Sequence, residues 1–179
     1  MDLGTGDGRA VLAAASAHPN ALVIGIDASA AAMAETSRRA DRGRSSRPNA
    51  LFLVEAAERL PGPLEARASV VSITLPWGSL LRGVLGLDRR ALAGIASIVA
   101  RDGRVVALVS VVPADRVDGV VSVHALPETA IADAWRPFGF ELISRRPATG
   151  EELLATRSSW ARRLGDRPVW RLELHRCGP

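Results

Sequence analysis

Seven residues near the start, Asp2-Leu3-Gly4-Thr5-Gly6-Asp7-Gly8, constrain this chain more than any other stretch. Alternating glycines behind a short apolar segment make a strand-to-helix turn whose backbone can approach a ligand closely. The apolar run from Leu22 ends at Asp27, about 20 residues on, where a carboxylate is placed to grip a ribose diol. Together the two features require a parallel βα unit. The nicotinamide fingerprint spaces its third glycine differently, and D-x-G-x-G-x-G suits S-adenosylmethionine better. A structural turn with no ligand is the plain alternative, and the reading carried forward is a methyltransferase.

Residues 1–179 suit a single domain, and a hydrophobic content of 47% is that of a globular chain. The sequence contains no apolar run long enough to cross a bilayer and no export leader, so the cytoplasm is the expected compartment. The single cysteine, Cys177, excludes an internal disulfide and a cysteine-based metal site. His18, His124 and His175 are scattered without ligand spacing, so no metal centre is expected. The net charge is +4, and all 23 cationic side chains are arginine. Arginine's planar fork suits phosphate and stacks on bases.

Strand and helix patterns alternate along the chain. Leu22 to Asp27, Leu51 to Val54, Ser69 to Leu75, Arg104 to Val112, Phe140 to Arg145 and Val169 to His175 read as strands. Arg9 to Ala17, Ala30 to Arg39, Arg89 to Val99 and Thr129 to Arg136 read as helices, the third ended by Asp102-Gly103. Repeated βα units predict an α/β, Rossmann-like fold. Its seven-stranded sheet is mostly parallel, with the last strand antiparallel. Only Met1-Asp2-Leu3 precedes the glycine turn, so the first strand is expected to be short at its N-terminal end.

Three further segments carry chemistry. Ala56-Ala57-Glu58-Arg59-Leu60-Pro61 follows the third strand, beside the expected adenine of the cofactor; an ordinary helix start is the alternative. Leu75-Pro76-Trp77-Gly78-Ser79-Leu80-Leu81-Arg82-Gly83 follows the fourth, where proline stops the strand and presents Trp77 on a turn. Thr156 to Leu164 carries Trp160 among arginines and hydroxyls. Two indoles over one pocket can sandwich a base, a contact worth about 1–3 kcal/mol per base, with plain packing of Trp77 and helix-face packing of Trp160 as the alternatives. Trp135 and Trp170 read as core. Arg38, Arg39, Arg42, Arg44 and Arg47 crowd one stretch, while Arg145, Arg146, Arg157, Arg162, Arg163 and Arg167 flank the Trp160 segment. A phosphate-contacting surface beside a stacking pocket accounts for both groups, with solvated basic faces as the alternative.

DLGTGDG, IGIDAS, AAERLP, LPWGSLLRGVLG and SSWARRL together resemble the aminoglycoside-resistance 16S rRNA methyltransferases of the kanamycin–apramycin type, over essentially the whole chain. The resemblance implies S-adenosylmethionine-dependent methylation of N1 of the decoding-site adenine (adenine-1408), in helix 44 of 16S rRNA in the 30S subunit, by a monomer. It assigns Asp2, Gly4, Gly6, Asp27, Ala57, Glu58, Leu75 and Ser79 to the cofactor. Trp77, Trp160 and Ser158 fall to the flipped adenine, and Arg38, Arg39, Arg42, Arg163 and Arg167 to rRNA. The family's N-terminal β-hairpin and full first strand are absent from this sequence. A small-molecule methyltransferase and a non-catalytic RNA-binding homologue are the rival readings.

Overall fold

The computed structural model describes residues 1–42, 46–158 and 160–177. Among these, one seven-stranded sheet runs in the order β3-β2-β1-β4-β5-β7-β6. The strands are β1 (Asp2–Leu3), β2 (Val23–Asp27), β3 (Ala50–Val54), β4 (Ala68–Thr74), β5 (Val99–Val109), β6 (Phe140–Pro147) and β7 (Trp170–Arg176). The first five pair in parallel, and β7 runs antiparallel to both its neighbours, β5 and β6. The α/β architecture with an antiparallel last strand is therefore as the sequence predicts.

Among the described residues six α-helices connect the strands: α1 (Arg9–Ala17), α2 (Ala30–Asp41), α3 (Gly78–Val84), α4 (Arg89–Ile98), α5 (Glu128–Trp135) and α6 (Gly150–Ala155). Several starts are set by side chains that satisfy free backbone N–H groups. Ser29 accepts from Ala32 at α2, and Asp88 accepts from Arg90 and Ala91 at α4. Thr149 and Glu152 close a reciprocal box at α6. The amphipathic α4 buries Ala91, Leu92, Ile95, Ala96 and Ile98 against the sheet. There they meet Val71, Ile73, Val105 and Ala107 in one continuous core. Each leucine, isoleucine or valine among them contributes about 1.5–3 kcal/mol on burial. Trp135 is fully buried, packs edge-on against Phe140 and donates its indole N–H to Val84 at 3.0 Å, as a core tryptophan should.

The structure departs from the sequence reading in three places. Gly78–Val84, read as part of a turn, is the helix α3. Asp102-Gly103 does not end α4; the helix stops at Ile98 and β5 begins at once. The register against β4 then jumps from Ala68↔Val99 to Val70↔Arg104, so Asp102-Gly103 makes a bulge within β5, with Asp102 at φ +59°. Gly150–Ala155 is helical and was not anticipated; its six residues are too few for periodicity to register.

The strand order reverses between β1 and β4, which opens a crevice above their C-terminal ends. Every loop that leaves β1, β2, β3 and β4 emerges there. The first strand is indeed short: Asp2 and Leu3 pair with Gly25 and Ile26 of β2, and Asp2 with Ser72 of β4.

Candidate active site at the C-terminal edge of the sheet

A cleft of about 350 Å³ fills that crevice. Its walls bring together Asp2, Gly4, Gly6, Asp27, Ala57, Glu58, Leu75 and Ser79, the eight positions expected on the cofactor side. Trp77, Ser158 and Trp160 complete its mouth, although the last two lie some 80 residues beyond the first in sequence. Thr156, Leu80 and Glu55 also border it; sequence reasoning did not single these out, because nothing in their type or spacing marks them.

The glycine turn is held from both sides by carboxylates. Asp27 accepts the Gly6 N–H on one oxygen and the Ser29 N–H on the other, each at 2.8 Å. It thus ties the turn after β1 to the end of β2, and each oxygen keeps a lone pair for a further donor. Gly6 sits at φ +57°, and a Cβ there would meet no protein atom within 4 Å, so its missing side chain leaves open space in the cleft. Asp2 is buried beneath the turn and accepts from the Thr5 and Ser72 hydroxyls at 2.7 and 2.8 Å. Burial pushes its pKa up, against the two hydroxyls that hold it down.

The segment after β3 forms one turn of 3-10 helix, Ala57–Arg59. It is pinned by α4: a Cβ on Gly94 would lie 1.7 Å from the Ala57 carbonyl oxygen, so only glycine permits this approach. Gly94 was not recognised from the sequence, since its partner is distant along the chain. Glu55 accepts the Ala56 N–H and pairs with Arg59, and these contacts hold its carboxyl below the ordinary range. On the opposite wall, Leu75 adopts φ +52° while its N–H still reaches the Leu108 carbonyl at 2.7 Å. That kink turns the chain outward, so Trp77 caps α3 with its indole 44% exposed.

Trp160 faces it across the mouth, 53% exposed. The ring centroids are 6.5 Å apart and the planes are tilted by 50°. A base between two indoles needs about 7–8 Å at ordinary carbon contact distances. The pair is therefore slightly narrower than a sandwich, and receiving a base requires the rings to part by about 1 Å and turn toward parallel. Ser158 accepts the Ala161 N–H at 3.3 Å and its own N–H donates to Thr156 Oγ1 at 3.1 Å, so it shapes the turn that carries Trp160.

The arginines divide into two kinds. Arg38, Arg39 and Arg42 are exposed at the end of α2, and Arg157 and Arg163 are exposed beside Trp160. Arg44 and Ser159 lie outside the described residues, as does the side chain of Arg162. The Arg167 guanidinium makes a two-pronged pair with Asp115 and also donates to Ser110. Burial alone would raise the Asp115 pKa, but the arginine and the Val112 N–H together hold it low. Arg167 thus ties its loop to Asp115, with its side chain 27% exposed. Arg145 turns inward to the Leu126, Val123 and His124 carbonyls, while Arg146, its side chain 43% exposed, pairs with Glu152. Spacing along the sequence could not identify the partners of Arg145 and Arg167, which lie about 20 and 52 residues away.

Among the described residues, no helix is long and apolar enough to cross a membrane. Comparison with known proteins agrees with the geometry. The family model described as "NpmA: 16S rRNA (adenine(1408)-N(1))-methyltransferase" matches residues 1–171. A 16S rRNA (adenine(1408)-N(1))-methyltransferase of Streptoalloteichus tenebrarius is 36% identical over 172 residues, covering 92% of this chain and 79% of the relative. Its namesake in Streptoalloteichus hindustanus is 34% identical over 171 residues, with the same coverage. The crystal structure of the enzyme of that name from Catenulisporales acidiphilia, a tryptophan-to-alanine variant with cosubstrate SAM, superposes with a TM-score of 0.84. The two are 30% identical, over 99% of this chain and 85% of that one. The 16S rRNA methyltransferase KamB gives 0.84 and 30% over 99% and 86%. The glycine turn, the cleft above the strand reversal and these likenesses converge: the chain belongs to the NpmA family of 16S rRNA (adenine(1408)-N(1))-methyltransferases.

Proposed function

We propose that this chain transfers a methyl group from S-adenosylmethionine to N1 of the decoding-site adenine of 16S rRNA, in helix 44 of the 30S subunit, and so confers aminoglycoside resistance. In this reading it works as a monomer in the cytoplasm. The observation that carries the proposal is the single cleft that joins a cofactor-type glycine turn to two facing, half-exposed indoles.

The residues fit the cofactor. Gly6 leaves open space at the turn, and Asp27 retains lone pairs for a ribose diol. Ala57 and Glu58 flank the position of an adenine edge, and Leu75 and Ser79 close the opposite wall. When bound, S-adenosylmethionine supplies an electrophilic methyl group on a sulfonium sulfur. Adenine N1 carries an in-plane lone pair and is unprotonated at neutral pH, so the chain need supply no general base. Its task is positioning: Trp77 and Trp160 hold the extruded base, and Ser158 sets the turn that aims Trp160. Extruding a base from its stack costs a few kcal/mol, and stacking on two indoles is of the size to offset it.

A small-molecule acceptor calls for an apolar lid over the cleft, whereas this cleft is lined by two half-exposed indoles, and the exposed Arg157 and Arg163 lie on either side of Trp160 in sequence. Incubation with methyl-labelled S-adenosylmethionine tests the difference. Label in the 16S rRNA of assembled 30S subunits, recovered as 1-methyladenosine, is the expected result. Label in small acceptors alone would overturn it.

A further inference from the structure

A second hollow, of about 520 Å³, adjoins the cleft between the start of α1, the end of α2 and α6. Arg9 of α1, Arg39 of α2 and Arg157 after α6 line it, and no acid is among its described lining residues. Arg9 is itself more than half exposed and has only a loose pair with Asp7, at 3.6 Å. Leu153 and Leu154 supply an apolar strip, and Leu154 is 73% exposed, the most exposed large hydrophobic side chain described. Ser158 borders both this hollow and the cleft, so the two meet at the turn that carries Trp160.

Three guanidinium groups around a concave, partly apolar surface match one chemistry: a phosphodiester with its ribose against the leucines. Arg157 adds an independent observation. Its backbone sits at φ +56°, in the left-handed region where glycine is at ease and a side chain is strained. An arginine kept at a strained position beside a functional turn points to a task for its side chain.

Resting on the function proposed above, we infer that this hollow holds the sugar-phosphate of the rRNA strand flanking the extruded adenosine. The strand leaves the indole pair over Ser158, and Arg9, Arg39 and Arg157 neutralise its phosphate. This gives α1, which otherwise only follows the glycine turn, a direct part in substrate binding.

The test is filter binding of Arg9→Gln, Arg157→Gln and Arg157→Gly to 30S subunits across a salt series, with Arg90→Gln on α4 as control. Each variant in the hollow should bind more weakly, with the slope of log K against log salt reduced by about one. Arg90→Gln should match the wild type, and calorimetric affinity for S-adenosylhomocysteine should stay within about twofold in all. Arg157→Gly should also melt at a higher temperature than the wild type while binding worse, an opposition that a purely structural arginine does not produce. Unchanged slopes in both Arg9→Gln and Arg157→Gln, with the wild type still methylating 30S subunits, would overturn this inference and leave the proposed function standing. Loss of S-adenosylhomocysteine binding in both would overturn it as well, assigning the residues to the cleft. A wild-type chain that neither binds nor methylates 30S subunits would remove both readings.

Discussion

Trp77 and Trp160 make the sharpest residue-scale case. Both indoles are about half exposed, so neither contributes much to the core, and truncation should cost little stability. Trp77→Ala and Trp160→Ala are each expected to abolish methylation of 30S subunits while S-adenosylhomocysteine affinity in calorimetry changes less than about threefold. Loss of cofactor affinity in both would make them structural. The arginines give a second contrast. Arg163→Gln should weaken 30S binding and lower its salt slope by about one, with the melting temperature unchanged. Arg167→Gln should do the reverse, because it strands Asp115, which is 8% exposed in its side chain, without its cation. Breaking a mostly buried pair costs about 3 kcal/mol or more, readable by denaturant titration.

At the scale of elements, α6 is the part whose attachment matters most to the site, since it leads into the turn that carries Trp160. Glu152 does the attaching. It accepts from Arg146 and from the Thr149 N–H and pairs with Arg171, which in turn holds Glu173. The Arg146 hydrogen bond and these neighbours bring its pKa down to about 2. A carboxylate whose pKa is depressed on folding stabilises the fold above its unfolded value of 4.5, and that contribution fades as pH falls toward about 2. Hydrogen exchange in α6 should accelerate as pH drops through this window, once corrected for intrinsic rates, and Glu152→Gln should show the faster exchange already at pH 7. Equal protection in both proteins at pH 7 would contradict the clamp. The long elements were legible in advance: α1 spans the residues its apolar spacing predicts, and the β-branched runs became β2, β3, β4 and β5. α3 was hidden because Pro76 and Gly78 are the chemistry of a turn, and the chain does turn there before the helix begins.

For the whole molecule, the sheet's strand reversal gathers residues from the two ends of the chain into one cleft. Motif reading singled out the glycine turn and Asp27 that line it, because glycines and a strand-end carboxylate act locally and leave a local signature. It could not anticipate Gly94 against Ala57, nor the partners of Arg145 and Arg167, which depend on what lies across the fold. Asp2 joins fold and site in one group. Burial raises its pKa, so its contribution to stability is present under acid conditions and lost as pH rises through that raised value. Asp2→Asn should therefore melt higher than the wild type near neutral pH, the gap closing as pH is lowered, and should bind S-adenosylhomocysteine more weakly.

The most direct measurement is primer extension across helix 44 of 16S rRNA, after 30S subunits are incubated with this protein and S-adenosylmethionine. Methylation at N1 blocks Watson–Crick pairing, so the account predicts a reverse-transcription stop next to the decoding-site adenine that requires the cofactor and disappears with Trp77→Ala. Read-through with the wild-type protein, under conditions where it binds both cofactor and subunit, would contradict it.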